Sequence, residues 1–168
     1  MLNLANNGLS HVHVEALARQ TVATLKVLNL SFNLLGDRSR YAMSTLLQRS
    51  PKLTSLNLSS CRLTCDFASP AQTVKSLEQL EDLDLSYNRL GIRGLCDIML
   101  ILKSSSAIQN INFSGCVKMS RDETKLMDVL LDFQASVSTL QRVTLAHNRL
   151  NELYFPSSLR DVVSLKYK

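Results

Sequence analysis

The chain has 168 residues, a formal net charge of +5 and 45% hydrophobic residues, which is enough for one domain with a continuous core. Aromatic residues make up only 5% and Trp is absent, so the composition favours a core of aliphatic side chains. No run of five like charges occurs, and the longest dense apolar run, residues 98–102, is too short to span a bilayer. No charged-then-apolar segment opens the chain, so we expect neither a secretory signal nor a membrane anchor.

One short phrase, L-x-x-L-x-L-x-x-N/C-x-L, recurs along the chain and defines a leucine-rich repeat. It occurs, incomplete in the first copy, at residues 2–9, 25–35, 53–63, 80–90, 108–116 and 140–150. Its alternating leucines predict a short strand that turns two aliphatic side chains towards a core and the residue between them outward. Six copies in register predict a sheet of at least five parallel strands, centred near residues 28, 56, 83, 111 and 143.

The Asn or Cys of each phrase follows the strand, where the chain must turn. An Asn amide at this place can hydrogen-bond the backbone of neighbouring repeats, and a Cys is a small group with a weak S–H donor. We predict a structural ladder made of Asn7, Asn33, Cys61, Asn88, Cys116 and Asn148. Successive ladder positions lie 26, 28, 27, 28 and 32 residues apart, which leaves room for a helix in each repeat.

Apolar residues between the phrases recur at helical spacing. Ala42, Leu46 and Leu47 predict one outer helix, residues 95–102 predict a second, and residues 126–133 predict the longest. These helices are expected on the face of the sheet opposite to its outward residues.

The alternation of Asn and Cys along the ladder resembles the ribonuclease-inhibitor class of leucine-rich repeats. That resemblance implies an α/β fold, a horseshoe-shaped right-handed α/β solenoid with a parallel inner sheet and outer helices, in an intracellular protein. Within that class, residues 25–150 resemble the C-terminal leucine-rich region of the Tonsoku-like family of replication-repair scaffolds. The phrases that carry this likeness are LKVLNLSFNLLGD, LLQRSPKLTSLNLSSCRLT, LDLSYNRLG, DETKLMDVLL and LQRVTLAHNRL.

The Tonsoku-like resemblance implies a nuclear scaffold that joins a large helical-repeat partner at damaged replication forks; from the repeats alone, a cytoplasmic location is equally compatible. The ankyrin repeats with which that family reads histone tails have no counterpart in this sequence, so histone reading is not implied.

We expect one leucine-rich repeat domain over residues 1–168, with about six repeats. Met1 falls inside a predicted strand, so the natural array is expected to begin before it. Residues 151–168 contain no second full phrase and are expected to form an atypical C-terminal cap, in which residues 159–162 start a short last strand without a helix.

The sequence contains no pattern that indicates catalysis or a metal site. Cys61 and Cys65 are spaced C-x3-C, but no second pair and no spaced His follows, as a zinc site would need. His11 and His13 lie near the start of an outer segment, and if that segment is helical they point to different faces, so surface positions are expected for both. Phosphate-binding glycine loops and the G-x-S-x-G elbow are absent. We predict a protein that is not an enzyme, has no cofactor or metal, takes no small-molecule substrate and keeps its four cysteines reduced.

The predicted sheet presents outward columns of residues, one residue from each repeat. The column between the inward leucines is Asn3, Asn29, Asn57, Asp84, Asn112 and Thr144, and small residues at 5, 31, 59, 86, 114 and 146 are predicted to form the next outward column. A third column holds rings in alternate repeats, which places neighbouring rings about 10 Å apart by strand spacing. Candidate partner-binding residues on this concave face are Phe32, Tyr87, His147, Asp82, Asp84, Arg142, Asn57 and Asn112.

Two interpretations of the rings stay open: contact with a partner, or packing over the adjacent loop. Lys26 and Arg142 are offset by acidic residues on the same face, so we expect a protein partner and no direct nucleic-acid or membrane binding.

The alternative function is a GTPase-activating domain, because one family of ribonuclease-inhibitor-like repeats does that work with a loop arginine. Arg62, Arg89 and Arg149 are the candidates for that arginine. The acidic C-terminal tail typical of that family is missing from this sequence.

Overall fold

The computed structural model describes residues 1–20, 23–68, 79–118, 123–150 and 155–165. Seven strands form one parallel sheet in chain order. They are β1 Leu2–Asn3, β2 Val27–Asn29, β3 Ser55–Asn57, β4 Asp82–Asp84, β5 Asn110–Asn112, β6 Arg142–Thr144 and β7 Val163–Ser164. The five parallel strands predicted from the phrases are confirmed, each at its predicted centre.

The middle residue of each three-residue strand is an inward aliphatic, and these residues align across the sheet. Leu28 pairs with Leu56, Leu56 with Leu83, Leu83 with Ile111, and Ile111 with Val143. All five are buried in one continuous hydrophobic core. Because a strand alternates its side chains, the residues on either side of each aliphatic face away from this core.

The helices cover the core on its other side. They are α1 His11–Arg19, α2 Arg40–Gln48, α3 Gly91–Leu102 and α4 Glu123–Ser136. The apolar residues that predicted α2 and α3 are buried, and α4, the longest helix, buries Leu126, Leu130 and Phe133. In the third repeat a 3₁₀ turn, Cys65–Ala68, follows the strand, and residues 69–78 lie outside the described residues. The predicted fold class, an α/β leucine-rich repeat solenoid, is confirmed.

The C-terminal segment differs from the prediction. The last strand begins at Val163 and not within residues 159–162, because a 3₁₀ turn, Ser157–Leu159, comes first. Leu159 is the last residue of that turn, and its side chain is buried in the core. Residues 151–154 and 166–168 of the expected cap lie outside the described residues.

No helix among the described residues is both long enough and apolar enough to cross a membrane.

Truncating an inward aliphatic should weaken the solenoid. We expect Leu56→Ala and Leu83→Ala each to lower the free energy of unfolding by roughly 2–5 kcal/mol, because each deletes a buried side chain and leaves a cavity. Urea unfolding followed by circular dichroism measures the change. Leu100→Ala, on α3 and 52% exposed, is the matched control and should change the free energy of unfolding by less than about 1 kcal/mol.

Candidate protein-binding surface

Three buried asparagine side chains join consecutive repeats. Asn88 Oδ1 accepts hydrogen bonds from the backbone N–H groups of Cys61 and Leu63, both at 3.0 Å. Its Nδ2 donates to Leu58 O and Leu85 O, both at 2.8 Å, so one amide serves four backbone groups in two repeats. Asn33 and Asn148 make equivalent bonds to the repeats before them. Each of these amides satisfies backbone groups that the turn would otherwise bury without a partner.

Asn7 lies at the first ladder position and differs from the other three asparagines. Its side chain is exposed, and its Nδ2 donates to Ala5 O at 2.9 Å within its own repeat. Its backbone N–H donates to Asn33 Oδ1, so the ladder reaches it through the backbone.

The two ladder cysteines use their thiols as donors. Cys61 Sγ lies 3.1 Å from Leu30 O, and Cys116 Sγ lies 3.2 Å from Leu85 O, each in the preceding repeat. Burial raises the pKa of the Cys61 thiol to about 11 and that of Cys116 to about 12. Both thiols therefore keep the proton that this hydrogen bond requires at neutral pH.

The residue between the two inward leucines sets the turn that follows each strand. The Oδ1 atoms of Asn57, Asp84 and Asn112 accept hydrogen bonds from backbone N–H groups two residues on, at 2.9, 2.9 and 3.0 Å. This is the Asx turn, which a short side chain with an oxygen makes readily. The candidate residues Asn57, Asp84 and Asn112 thus have a local structural role, whatever else they contact.

The serine column does not face outward as predicted. Ser31, Ser59, Ser86, Ser114 and Ala146 are all buried. The strand alternation ends at the residue after the second leucine, because the Asx turn bends the chain there. Their carbonyls accept the N–H of the third-column residue in the preceding repeat, as in Tyr87 N to Ser114 O at 2.7 Å.

The third column lies beyond the strand ends, at the C-terminal edge of the sheet. All six of its residues have a left-handed backbone conformation. Its φ values run from 52° to 63° at Asn6, Phe32, Ser60, Tyr87, Gly115 and His147. Gly and Asn adopt this conformation readily, whereas a bulky residue here is uncommon and costs roughly 1–2 kcal/mol. Phe32 and Tyr87 nevertheless occupy it with side chains 62% and 53% exposed. We call Phe32, Tyr87 and His147 the edge aromatics.

Tyr87 and His147 are brought together across the intervening repeat. Their ring centroids are 5.7 Å apart, closer than the strand spacing alone predicts. The cause is Gly115, which lies between them: a Cβ at Gly115 would stand 2.7 Å from Tyr87 Cδ1. The missing side chain lets the Tyr87 ring lean over this position. Phe32 stands two repeats to the other side of Tyr87, with Ser60 in the repeat between.

The negative charge of the sheet lies at strand β4. Asp82 and Asp84 belong to the strand and Glu81 directly precedes it; we call these three residues the acidic strand. Asp82 Oδ1 accepts a hydrogen bond from Asn110 Nδ2 at 2.8 Å, and Asp84 Oδ2 accepts one from Asn112 Nδ2 at 3.3 Å. Arg142, exposed on β6, lies in the row of Asp82, with Asn110 between them.

In three repeats an arginine follows the third column along the chain, and buried Val117 has that place in the repeat between Arg89 and Arg149. Arg62, Arg89 and Arg149 are all exposed, and each comes two residues after a third-column position. Arg89 N donates to Leu63 O at 2.8 Å, which places the turns of the third and fourth repeats side by side. We call these three residues the arginine row. Sequence reasoning treated them singly, although the repeated Arg-Leu after the ladder position was the signal for a row.

Among the residues that the structure describes, no group of three or more His, Cys, Asp and Glu side chains is placed to hold a metal ion. Cys61, Cys65, Cys96 and Cys116 are all free thiols. His13 Nδ1 accepts a hydrogen bond from the N–H of Ser10 at 3.1 Å, at the start of α1. The side chain of His13 therefore serves the helix terminus.

The comparisons with known proteins agree with this architecture. A family model described as Leucine Rich repeat matches residues 23–44 and 49–64. The chain is also similar in structure to a chain of a TLR13–ssRNA13 complex, with a TM-score of 0.54 and 19% identity, over 96% of this chain and 24% of that one. The chain is therefore a leucine-rich repeat solenoid, a class whose stacked repeats generally serve as protein-interaction scaffolds.

The particular resemblance is to the Tonsoku-like protein of Danio rerio. Identity is 36% over 85 residues, which is 48% of this chain and 6% of that protein. The resemblance inferred from the phrases is confirmed, and the chain corresponds to a small fraction of the length of the relative it matches.

Alkaline pH should weaken the fold through the ladder thiols. An unfolded thiol titrates near 9.0, and the folded Cys61 thiol near about 11, so its stabilising contribution is fully present below pH 9. It is lost as the pH rises towards 11, and by pH 10.5 the loss is about 2 kcal/mol. Urea unfolding between pH 8 and 10.5 measures it. Cys61→Ser, which keeps a donor that does not titrate, should show a flatter profile; parallel profiles would contradict the raised pKa of the buried thiol.

Proposed function

We propose that this chain is the protein-binding module of an intracellular scaffold, and that its partner contacts the edge aromatics and the neighbouring open face of the sheet. The observation that carries the proposal is the exposure of Phe32 and Tyr87 in a left-handed backbone conformation. Interfaces are anchored by a few large side chains of this kind, which combine apolar area with little conformational freedom.

Folding alone gives little reason for rings at these positions. The same column holds Asn6 and Gly115, residues that suit a left-handed turn better. Phe32 is mostly exposed, so burial does not offset its conformational cost. For Tyr87 the contact with His147 offsets part of the cost, since an aromatic pair contributes about 0.5–1.5 kcal/mol. Backbone strain at an exposed position supports a functional role.

The remaining candidates have roles of different kinds in this proposal. Asp82 and Arg142 are exposed and select the charge of the partner. Asn57, Asp84 and Asn112 hold the Asx turns and add polar groups to the same face. The ladder residues, by contrast, act only on the structure.

The resemblance to a Tonsoku-like protein supports a narrower proposal. We infer that the scaffold works in the nucleus, in replication-coupled DNA repair, and that its partner is another protein of that process. The similarity covers 48% of this chain at 36% identity.

The alternative, GTPase activation by an exposed arginine, has a structural counterpart in the arginine row. No observation favours it over protein binding. A panel of GTPases that showed stimulated hydrolysis, lost on Arg62→Ala, Arg89→Ala or Arg149→Ala, would reverse this order.

Removing the edge rings should abolish partner capture and leave the fold intact. We expect Tyr87→Asn to weaken partner binding by about 2 kcal/mol or more, as truncation of an interface anchor does. The melting temperature should change little, because Asn suits the left-handed backbone and no core cavity forms. The measurement is quantitative mass spectrometry of proteins retained from nuclear extract, with melting temperatures for each variant.

Leu100→Ser is the matched control, since Leu100 is an equally exposed apolar residue on the helical side. It should leave the retained proteins unchanged. The proposal fails if Leu100→Ser removes them while Phe32→Asn and Tyr87→Asn do not, because the interface would then lie on the helices.

A further inference from the structure

We infer that the partner segment recognised by this surface is dipolar, with basic residues at one end, a large apolar residue in the middle and acidic residues at the other end. The inference rests on the proposed function and specifies the chemistry of its partner. It follows from the order in which acidic residues, a ring and an arginine lie along the fourth repeat, with Arg62 and His147 in nearby repeats.

The fourth repeat shows this order within a single turn of the solenoid. Its chain passes from Glu81 and Asp82 on the strand to Tyr87 at the sheet edge and then to Arg89. Of the strands that the structure describes, only that of the fourth repeat carries acidic residues: the residues in the row of Asp82 are Ser55 in the third repeat, Asn110 in the fifth and Arg142 in the sixth. Arg62 adds a second cation beside Arg89, and the ring of His147 adds to that of Tyr87. Negative, apolar and positive zones therefore succeed one another across the strand ends.

The charged residues of these zones form no ion pairs within the described part of the chain. Its ion pairs are Arg93–Asp97 and Lys103–Asp132, and both lie on the helices. The acidic strand has asparagine neighbours in place of cations. Asp82 and Asp84 accept hydrogen bonds from these neighbours, and asparagines in their place could accept the same bonds, so the fold itself does not require their negative charge. A partner with the complementary order would satisfy both zones at once.

A uniformly charged partner fits this surface poorly. A basic segment long enough to cross the rings meets Arg62 and Arg89, and a nucleic acid that uses those arginines meets the carboxylates of Glu81 and Asp82. Juxtaposed like charges cost several kcal/mol at an interface, so they discriminate against wrong partners. The rings between the zones require an apolar residue in the middle of the segment.

The test is a selection from a library of randomised twelve-residue peptides displayed on phage, against the whole chain. We expect enriched sequences to carry Lys or Arg at one end, Asp or Glu at the other and a large apolar residue between. The best peptide is then synthesised with a fluorescent label and its affinity measured by anisotropy. A peptide of the same composition with interleaved charges is the control and should bind at least about tenfold more weakly.

Charge exchange in the protein gives the decisive comparison. Glu81→Lys with Asp82→Lys, or Arg62→Glu with Arg89→Glu, should each weaken the selected peptide by at least about tenfold. All four changes together should restore the affinity to within about threefold, because the peptide can bind in the reverse direction. Asp84 is left unchanged because it holds a turn. If a charge exchange lowers the melting temperature, it is replaced by a neutral variant: Glu81→Gln with Asp82→Asn, or Arg62→Gln with Arg89→Gln. Each neutral variant should also weaken binding of the selected peptide.

Each other outcome overturns the inference. Enrichment of purely basic or purely acidic peptides shows a single-charge partner, and failure of the fourfold exchange to restore binding shows that the zones do not act together. Tighter binding of a labelled single-stranded oligothymidine than of any peptide, lost on Arg62→Gln with Arg89→Gln, assigns the edge to nucleic acid. A selection without enrichment overturns it too, because the library contains every dipolar arrangement.

Failure of the proposed function is distinguishable from these outcomes. If enriched peptides bind equally well to Phe32→Asn and Tyr87→Asn, the edge aromatics are not the interface. If peptides of single charge require the rings, the interface is correct and the dipolar partner is wrong.

Discussion

The structure depends on one interaction, the hydrogen bonding of each ladder side chain to the backbone of the preceding repeat. Strands of at most three residues make few backbone hydrogen bonds to their neighbours, and the turns that follow them are buried. Asn88 alone satisfies four backbone groups in two repeats, and the thiols of Cys61 and Cys116 donate to the preceding repeat in the alternate positions. A buried backbone group without a partner costs about 1–3 kcal/mol, so losing one such amide would remove support from two repeats at once.

The candidate binding surface is a consequence of the same ladder. To bring the Asn or Cys inward, the residue before it must adopt a left-handed conformation, which turns its own side chain out at the sheet edge. Each of these repeats therefore has one position whose backbone conformation is fixed by the packing of its neighbour in the core and whose side chain points away from the core. In Phe32, Tyr87 and His147 that position carries a ring. The rings are consequently held on rigid backbone, which lowers the entropy that binding would cost.

Much of the fold could be predicted from the sequence because it repeats. The spacing of Leu28, Leu56 and Leu83 predicts that each is the buried residue of a strand. This prediction does not depend on contacts between residues far apart in the sequence. The buried serine column could not be read in this way, since period-two alternation ends where the Asx turns begin, and that turn depends on side chain to backbone bonds. Nor could the Tyr87–His147 contact, which depends on the space above Gly115. The left-handed column had a signal in the sequence, because Asn6 and Gly115 share it with the rings.

The charged residues on this surface form no ion pairs among the described residues, although the helices of the same chain do. On the helical side, Arg93 pairs with Asp97 and Lys103 with Asp132, as solvent-exposed helices commonly do. On the sheet side, Asp82 and Asp84 occupy consecutive outward positions of one strand, and Arg62 and Arg89 follow the sheet edge. Arg142 shares the row of Asp82 but is separated from it by Asn110. Exposed charges that form no ion pair add little to the stability of the isolated fold and are available to a partner. Neutralising Asp82 should accordingly leave stability unchanged or raise it slightly while weakening binding, the opposite of what a structural residue would do.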